Sequence, residues 1–214
     1  MVPALEGLSI HKFKNMLPHK PSEAMNEDLC MARITIPSRD QVSPSTHSTL
    51  DAIGSHVGFI PNMFRMLASS PDTFSGVISF QGAMSRALNV RTRDAIALAV
   101  AEVNGCHYCM NAQAYISTKL ASISSQEMAL NRQGRSEDPR RAAAALFAKY
   151  LVERNGKVTD QELAAVRAAG YTDPEIIDIT VLTVLCLLTN FINNMADTDV
   201  DFPNVKLRDV AFRG

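Results

Sequence analysis

Residues 93–113 read RDAIALAVAEVNGCHYCMNAQ, and this stretch contains the clearest structural signals in the chain. Its first half is rich in alanine and lacks proline and glycine, which favours a helix over residues 93–103 with Thr92 as the N-cap. The pair Asn104-Gly105 predicts a left-handed turn that ends this helix. A second helix is expected from about residue 106 to residue 120. The stretch is therefore predicted to be a helical hairpin with cysteines at its bend.

The rest of the chain has the same helical character. Further helices are predicted at residues 46–57, 61–69, 70–88, 124–131, 139–153, 159–170 and 172–195. No segment alternates polar and apolar residues between hairpin turns, so no strand is expected. We predict an all-α protein with one helical-bundle domain over residues 46–214. Frequent prolines and glycines predict an irregular N-terminal arm over residues 1–45.

Composition excludes several classes of protein. The 214 residues include 21 Lys and Arg against 22 Asp and Glu, so there is no basic excess and nucleic-acid binding is not expected. Hydrophobic residues make up 46% of the chain, enough for a packed core. The longest apolar stretch, residues 176–192, contains Asp178 and several Thr residues. It fits a buried helix better than a membrane span, so no membrane association is expected.

The N-terminus resembles neither a secretory nor a mitochondrial leader. Acidic residues and Gly7 interrupt its apolar start, and its first 30 residues contain no Arg. We therefore predict a cytoplasmic protein. Met31 is a plausible natural start, and residues 1–30 are expected to be dispensable. Their removal should cost less than about 1 kcal/mol, the scale of a single substitution, and leave the oligomer unchanged.

The cysteine pair is the sharpest chemical feature. Cys106 and Cys109 are three residues apart on a predicted first helical turn, where free N–H groups favour a thiolate. Such a thiolate can attack a peroxide, and its neighbour can then close a disulfide. A zinc half-site and an unreactive structural pair are the alternatives, although no second paired ligand set is present. Cys30 and Cys186 are isolated, and Cys186 is expected to be a buried, inert thiol.

From residue 57 onward the chain resembles the carboxymuconolactone decarboxylase-like superfamily, in particular its alkylhydroperoxidase-D-like, peroxidase-related branch. The resemblance covers roughly residues 33–205 and is carried by four blocks: Gly58-Phe59-Ile60-Pro61-Asn62, Ser70-Pro71, residues 93–113, and Asn190-Phe191-Ile192-Asn193-Asn194 with Asp201-Phe202-Pro203. It implies an all-helical fold and a homo-oligomer, a trimer or hexamer.

The resemblance also implies roles at the site. Cys109 corresponds to the peroxidatic thiol and Cys106 to the resolving thiol. Asp94 and Gln113 occupy the positions where the family has Glu and His in a proton relay. Gln113 can hold a water but cannot exchange a proton near pH 7, which predicts a weakened peroxidase. His107 and Glu102 are alternative relay residues.

We therefore expect a thiol-dependent peroxidase that reduces hydroperoxides through Cys106 and Cys109. The resemblance implies recycling by an external dithiol such as a lipoylated protein. The alternatives are a lyase acting on a small lactone acid and a non-enzymatic redox-sensing oligomer. Neither a cofactor nor a metal is expected.

We also predict the surroundings of three other groups of residues. Asn111 and Asn193 either line the site or bond backbone. His47 and His56 are expected at the surface. A solvated loop and helix start is predicted for four arginines, Arg132, Arg135, Arg140 and Arg141.

Overall fold

The computed structural model describes residues 32–119 and 122–202. These residues contain helices and no strand. Within these two ranges a short 3-10 helix at Arg39–Gln41 precedes nine α-helices: α1 (Pro44–Val57), α2 (Asn62–Leu67), α3 (Pro71–Met84), α4 (Val90–Val103), α5 (His107–Lys119), α6 (Ser125–Arg132), α7 (Pro139–Glu153), α8 (Asp160–Ala168) and α9 (Asp173–Ala196). The predicted all-α class is confirmed.

Helix α4 lies at the centre of the bundle and packs on α5, α6, α7 and α9. Small residues allow this close approach, since Ala95 and Ala99 on α4 meet Ala145 on α7, all fully buried. One apolar cluster joins α4, α7 and α9 through side chains such as Ile96, Phe147 and Ile179. A second cluster packs α5 against α1, α2 and α3. Cys106 and Tyr108, at the bend between α4 and α5, belong to this second cluster.

That bend has the geometry expected of Asn104-Gly105. Gly105 has φ +59°, the left-handed conformation. Its N–H donates to the carbonyl of Glu102, and the N–H of Cys106 donates to the carbonyl of Ala101. These two bonds form a Schellman motif, which ends α4 and places Cys106 immediately before α5.

The helix starts follow local sequence in most cases. Thr159 and Thr172 form capping boxes at the starts of α8 and α9. The prediction of Thr92 as the N-cap of α4 is wrong, because Asn89 accepts from the N–H of Thr92 and starts the helix at Val90. Asn is a stronger N-cap than Thr, and Thr92 then falls in the first turn.

Two boundaries also differ from prediction. Helix α3 ends at Met84 rather than at residue 88, because residues 85–88 form turns closed by bonds such as Arg86 N–H to Ala83 O. The start of α2 differs as well, because Pro61 is the N-cap of this helix and not its first residue. Both differences lie at helix ends, where local signals compete.

Part of the predicted N-terminal arm packs on the helical unit. The compact unit begins at Ala32, and the N–H of Arg33 donates to the carbonyl of Ala196. The Arg39 guanidinium bonds the Asp51 carboxylate at 2.6 Å. The dispensability predicted for residues 1–30 concerns a segment outside the described residues.

Helix α9 combines a buried face and an exposed apolar face. By length and composition alone it is apolar enough to cross a membrane, and a third of its most apolar window is buried. Ile176, Ile179, Leu182 and Leu185 pack in the first core cluster. A core helix of a globular protein passes the same test, so this feature is weak evidence for a membrane span.

Candidate functional site

The two cysteines of the hairpin form a disulfide, with Cα atoms 5.3 Å apart. Helix α5 begins at His107, one residue later than predicted, and the carbonyl of Cys106 accepts its first intrahelical bond from Met110. Cys106 is therefore the N-cap, and its Sγ accepts from the N–H of Cys109 at 3.3 Å. The helix N-terminus thus favours a thiolate on Cys106, while Cys109 needs another donor.

The cysteines differ in access. Cys106 is fully buried, whereas Cys109 is partly exposed. Cys109 lies in the wall of a cavity of about 280 Å³ whose lining is mostly apolar. Helices α2 to α5 and α9 all contribute to this wall, which includes Met63, Ala97 and Leu182. A molecule in the cavity would therefore reach Cys109 before Cys106.

Asp94 and Gln113 meet in the same cavity wall. The Gln113 Nε2 donates to Asp94 Oδ1 at 2.6 Å, and the Ser117 hydroxyl donates to Asp94 Oδ2 at 3.3 Å. Asp94 is only 5% exposed. Burial raises the pKa of Asp94 to about 6, although the bonds from Ser117 and Gln113 oppose the rise. The two predicted relay residues are therefore in direct contact beside Cys109.

Asn193 is a polar side chain that contacts the disulfide. Its Nδ2 lies 3.4 Å from Cys109 Sγ, and the side chain is buried in the cavity wall. This contact settles one open alternative, because Asn193 both lines the site and bonds backbone. Asn111 instead donates to the carbonyl of His107 at 2.9 Å and is absent from the cavity wall.

A buried network of hydrogen bonds around Tyr108, which we call the Tyr108 knot, holds the start of α5. The Tyr108 hydroxyl accepts from the N–H of Met63 and donates to Asp201 Oδ1, both at 3.1 Å. Asp201 Oδ2 accepts from the N–H of Asn62 at 2.7 Å. The Phe202 ring packs edge-on against Tyr108, with centroids 5.5 Å apart. Three of the sequence blocks that carry the family resemblance thus meet beside the disulfide.

The alternative relay residues lie elsewhere. His107 is exposed and is absent from the cavity wall. Glu102 bonds the Arg132 guanidinium at 2.6 Å and is also absent from the wall. Within residues 32–119 and 122–202, no three His, Cys, Asp or Glu side chains lie close enough to hold a metal ion.

The solvated state predicted for the arginine group is wrong for two members. Arg132 is 3% exposed in its pair with Glu102, and Arg141 is largely buried against Glu127 at 2.9 Å. Carboxylates from other helices neutralise both side chains, which local sequence does not reveal. Arg135 and Arg140 are exposed, as predicted.

Solved structures share this architecture. The chain is similar to the alkylhydroperoxidase AhpD core of a peroxidase-related protein from Ralstonia eutropha JMP134, with TM-score 0.69, 24% identity, and coverage of 84% of this chain and 95% of that chain. A peroxidase-related protein from Silicibacter sp. TM1040 matches with TM-score 0.71, 18% identity, and coverage of 82% and 95%. The chain has the alkylhydroperoxidase-D-like fold. The predicted resemblance is thereby confirmed at the level of the fold.

A debrominase in complex with 2,3,4-tribromopyrrole also has this alkylhydroperoxidase-D-like fold. Its TM-score is 0.68 at 17% identity, with coverage of 78% of this chain and 91% of that chain. No protein-family model matches the chain, and the search of curated proteins found no match. The fold therefore accommodates more than one reaction.

Proposed function

We propose that the protein is a thiol-dependent peroxidase that reduces hydroperoxides through the Cys106–Cys109 dithiol/disulfide couple. One observation carries the proposal: Cys109, one half of a disulfide, lines an apolar cavity beside the contacting pair of Asp94 and Gln113. An apolar wall suits an organic hydroperoxide, and the thiol pair supplies the two electrons.

The proposed reaction has two steps. The Cys109 thiolate attacks the terminal oxygen of the hydroperoxide, the O–O bond breaks, and the departing alkoxide takes a proton to become an alcohol. The Cys106 thiolate then attacks the Cys109 sulfenic acid, and hydroxide leaves with a proton as water. The two thiols supply both protons. An external dithiol regenerates the pair and is itself oxidised to a disulfide.

The structure supports this division of roles. Cys109 faces the cavity, so it is the thiol that substrate reaches first. Cys106 is buried and its sulfur accepts a helix N-terminal N–H, which favours its thiolate as the attacking or leaving group. Asp94, with a pKa of about 6, is able to accept a proton near neutral pH.

Reductive dehalogenation is the second candidate. The debrominase with this fold was crystallised with a brominated aromatic ring. In such a reaction the dithiol reduces a carbon–bromine bond, and the products are the unbrominated ring, bromide, a proton and the disulfide. The apolar cavity beside Cys109 suits such a ring as well as an alkyl hydroperoxide.

Steady-state turnover with a dithiol reductant tests these functions. Wild-type protein should convert cumene hydroperoxide to its alcohol, and Cys109→Ser and Cys106→Ser should abolish turnover. Cys186→Ala is the control for the third thiol: Cys186 lines the same cavity, but burial raises its pKa to about 12 and keeps it protonated, so its removal should leave turnover in place. Bromide release from a brominated pyrrole without peroxide turnover would favour dehalogenation. Activity on neither substrate, with the disulfide intact, would favour the redox-sensing alternative over both enzymes.

The remaining parts of the proposal are a lipoylated protein as the reductant, a homo-oligomeric assembly and a cytoplasmic location. Replacing dithiothreitol by dihydrolipoamide in the same assay tests the chemistry of the reductant.

A further inference from the structure

The amide of Asn193 has an unusual set of partners. Its Nδ2 lies 2.9 Å from the carbonyl of Thr189, 3.1 Å from the Met63 sulfur and 3.4 Å from the Cys109 sulfur. An amide nitrogen has only two hydrogens for these three acceptors. Because the backbone carbonyl is the strongest of them, one hydrogen is left for the two sulfur atoms.

This arrangement fixes the orientation of the amide. All three neighbours of Nδ2 are acceptors, so rotating the amide by half a turn would place Oδ1 against them. In the present orientation Oδ1 is buried and has no hydrogen-bond partner among the groups the structure describes. Asn193 is 2% exposed and lines the cavity. An unpaired buried acceptor is costly, which indicates a group that a ligand completes.

We propose that Asn193 is a catalytic residue that holds the Cys109 thiolate through Nδ2 and accepts the terminal O–H of the hydroperoxide through Oδ1. This inference rests on the proposed peroxidase function. A disulfide sulfur and a thioether are weak acceptors, whereas a thiolate forms a charge-assisted bond. When the disulfide is reduced, the Nδ2–H that Met63 and Cys109 share therefore donates to the Cys109 thiolate instead of to the Met63 sulfur.

The same amide serves both chemical steps. The hydroperoxide donates its O–H to Oδ1, which places the terminal oxygen beside the sulfur that attacks it. After the O–O bond breaks, this oxygen and its hydrogen belong to the sulfenic acid on Cys109, and the O–H still donates to Oδ1. Attack by Cys106 then breaks the S–O bond, and water leaves.

The donor role is tested on the thiol itself, in a Cys106→Ser background where no disulfide forms. The rate of Cys109 alkylation by iodoacetamide against pH gives the pKa of its thiol. Asn193→Leu and Asn193→Asp should each raise that pKa and slow alkylation at neutral pH about tenfold, the equivalent of one pKa unit. Asn194→Asp is the matched control, because Asn194 is exposed on the same helix and bonds the Asn104 carbonyl. The control should keep the parent profile.

Two variants guard against misinterpretation. Asn193→Asp adds a charge that by itself disfavours a thiolate, whereas Asn193→Leu adds none. Circular dichroism identifies the variants that fold. A parent-like alkylation profile in a folded Asn193→Leu protein would overturn the donor role.

The acceptor role is tested by turnover of cumene hydroperoxide with both cysteines present. Asn193→Asp keeps side-chain oxygens that accept the substrate O–H, and Asn193→Leu has none. The KM should therefore rise more in Asn193→Leu than in Asn193→Asp, and equal values would overturn the acceptor role. Absence of turnover in wild type contradicts the peroxidase function, while the alkylation profile still decides the donor role.

Discussion

At the scale of the residue, the buried carboxyl of Asp94 supplies an ionisable group to the site and lowers the stability of the folded protein. Its carboxyl is almost fully buried, and burial raises its pKa to about 6. The folded state therefore binds this proton more tightly than the unfolded chain, where the pKa is about 4. Since the folded state holds more protons in this window, stability falls as the pH rises from about 4 to about 6.

The substitution Asp94→Asn should therefore stabilise the protein and impair it. At neutral pH we expect a gain of about 1–3 kcal/mol, the equivalent of a shift of up to two pKa units. Peroxide turnover should fall, because the ionisable member of the relay is lost. Thermal unfolding of both proteins measures the gain. The difference in Tm should be near zero at about pH 4 and reach its full size above about pH 6; a constant difference would contradict the buried-carboxylate account.

Gln113 is the second residue whose change is informative. It lies one helical turn after Cys109 and donates to Asp94. A histidine there can exchange protons near pH 7, as glutamine cannot. Gln113→His should therefore raise kcat/KM for an alkyl hydroperoxide by about tenfold or more. Gln113→Asn, which keeps the amide, is the control. An unchanged rate in Gln113→His beside a fast wild type would mean that the relay assignment is wrong.

Residue roles were predictable only where the chain brings groups together locally. Cys106, Cys109 and Gln113 lie directly before or on α5, and the hairpin brings Asp94 on α4 beside them. The family resemblance predicted that Asp94 and Gln113 belong to one site. Asn193 is 84 residues from Cys109 in the chain, and its contact depends on how α9 packs. Sequence reasoning left its role open for that reason.

At the scale of the element, the start of α5 is held by the knot around Tyr108. Its hydroxyl satisfies the buried N–H of Met63 and the Asp201 carboxylate, so the segment after α9 and the start of α2 both depend on it. Helix caps such as Thr159 were readable from four consecutive residues. The knot joins segments far apart in the chain, and no local pattern specifies it.

Removal of the Tyr108 hydroxyl tests the knot. Tyr108→Phe keeps the ring and removes the hydroxyl that bonds the Met63 N–H and Asp201 Oδ1, at an expected cost of about 1–3 kcal/mol. Chemical denaturation gives this free energy of unfolding. Tyr115→Phe is the control. The Tyr115 hydroxyl donates one hydrogen bond, at 3.2 Å to the Val57 carbonyl, whereas the Tyr108 hydroxyl makes two. An equal or smaller loss in Tyr108→Phe would contradict the importance of the knot.

At the scale of the whole molecule, the exposed face of α9 bears on the predicted homo-oligomer. Apolar side chains recur every three or four residues along it, and we call this set the α9 seam: Ile177, Val181, Val184, Leu188, Phe191 and Met195. All except Val181 are among the exposed large hydrophobic residues, with Phe191 61% exposed. A spacing of 3.5 residues is that of helices that pack along their length. At 1.5 Å per residue the seam extends over about 27 Å.

We expect a second copy of the chain to cover this seam, since the same stripe on each copy is self-complementary under twofold symmetry, which the predicted hexamer contains and a cyclic trimer does not. Phe191→Glu should weaken self-association and lower the sedimentation coefficient across a dilution series. Gln161→Glu on exposed α8 is the control and should leave the assembly unchanged. A monomeric wild type, or equal assembly in both variants, would contradict this use of the seam.

The proposed peroxidase function requires that a hydroperoxide oxidise Cys106 and Cys109 to a disulfide. The most direct measurement is the mass of the anaerobically reduced protein before and after one equivalent of cumene hydroperoxide, with peptide mapping. We expect a loss of two hydrogens, located between Cys106 and Cys109, and one equivalent of alcohol. Two free thiols after the peroxide has been consumed, or stoichiometric zinc bound to the purified protein, would contradict it.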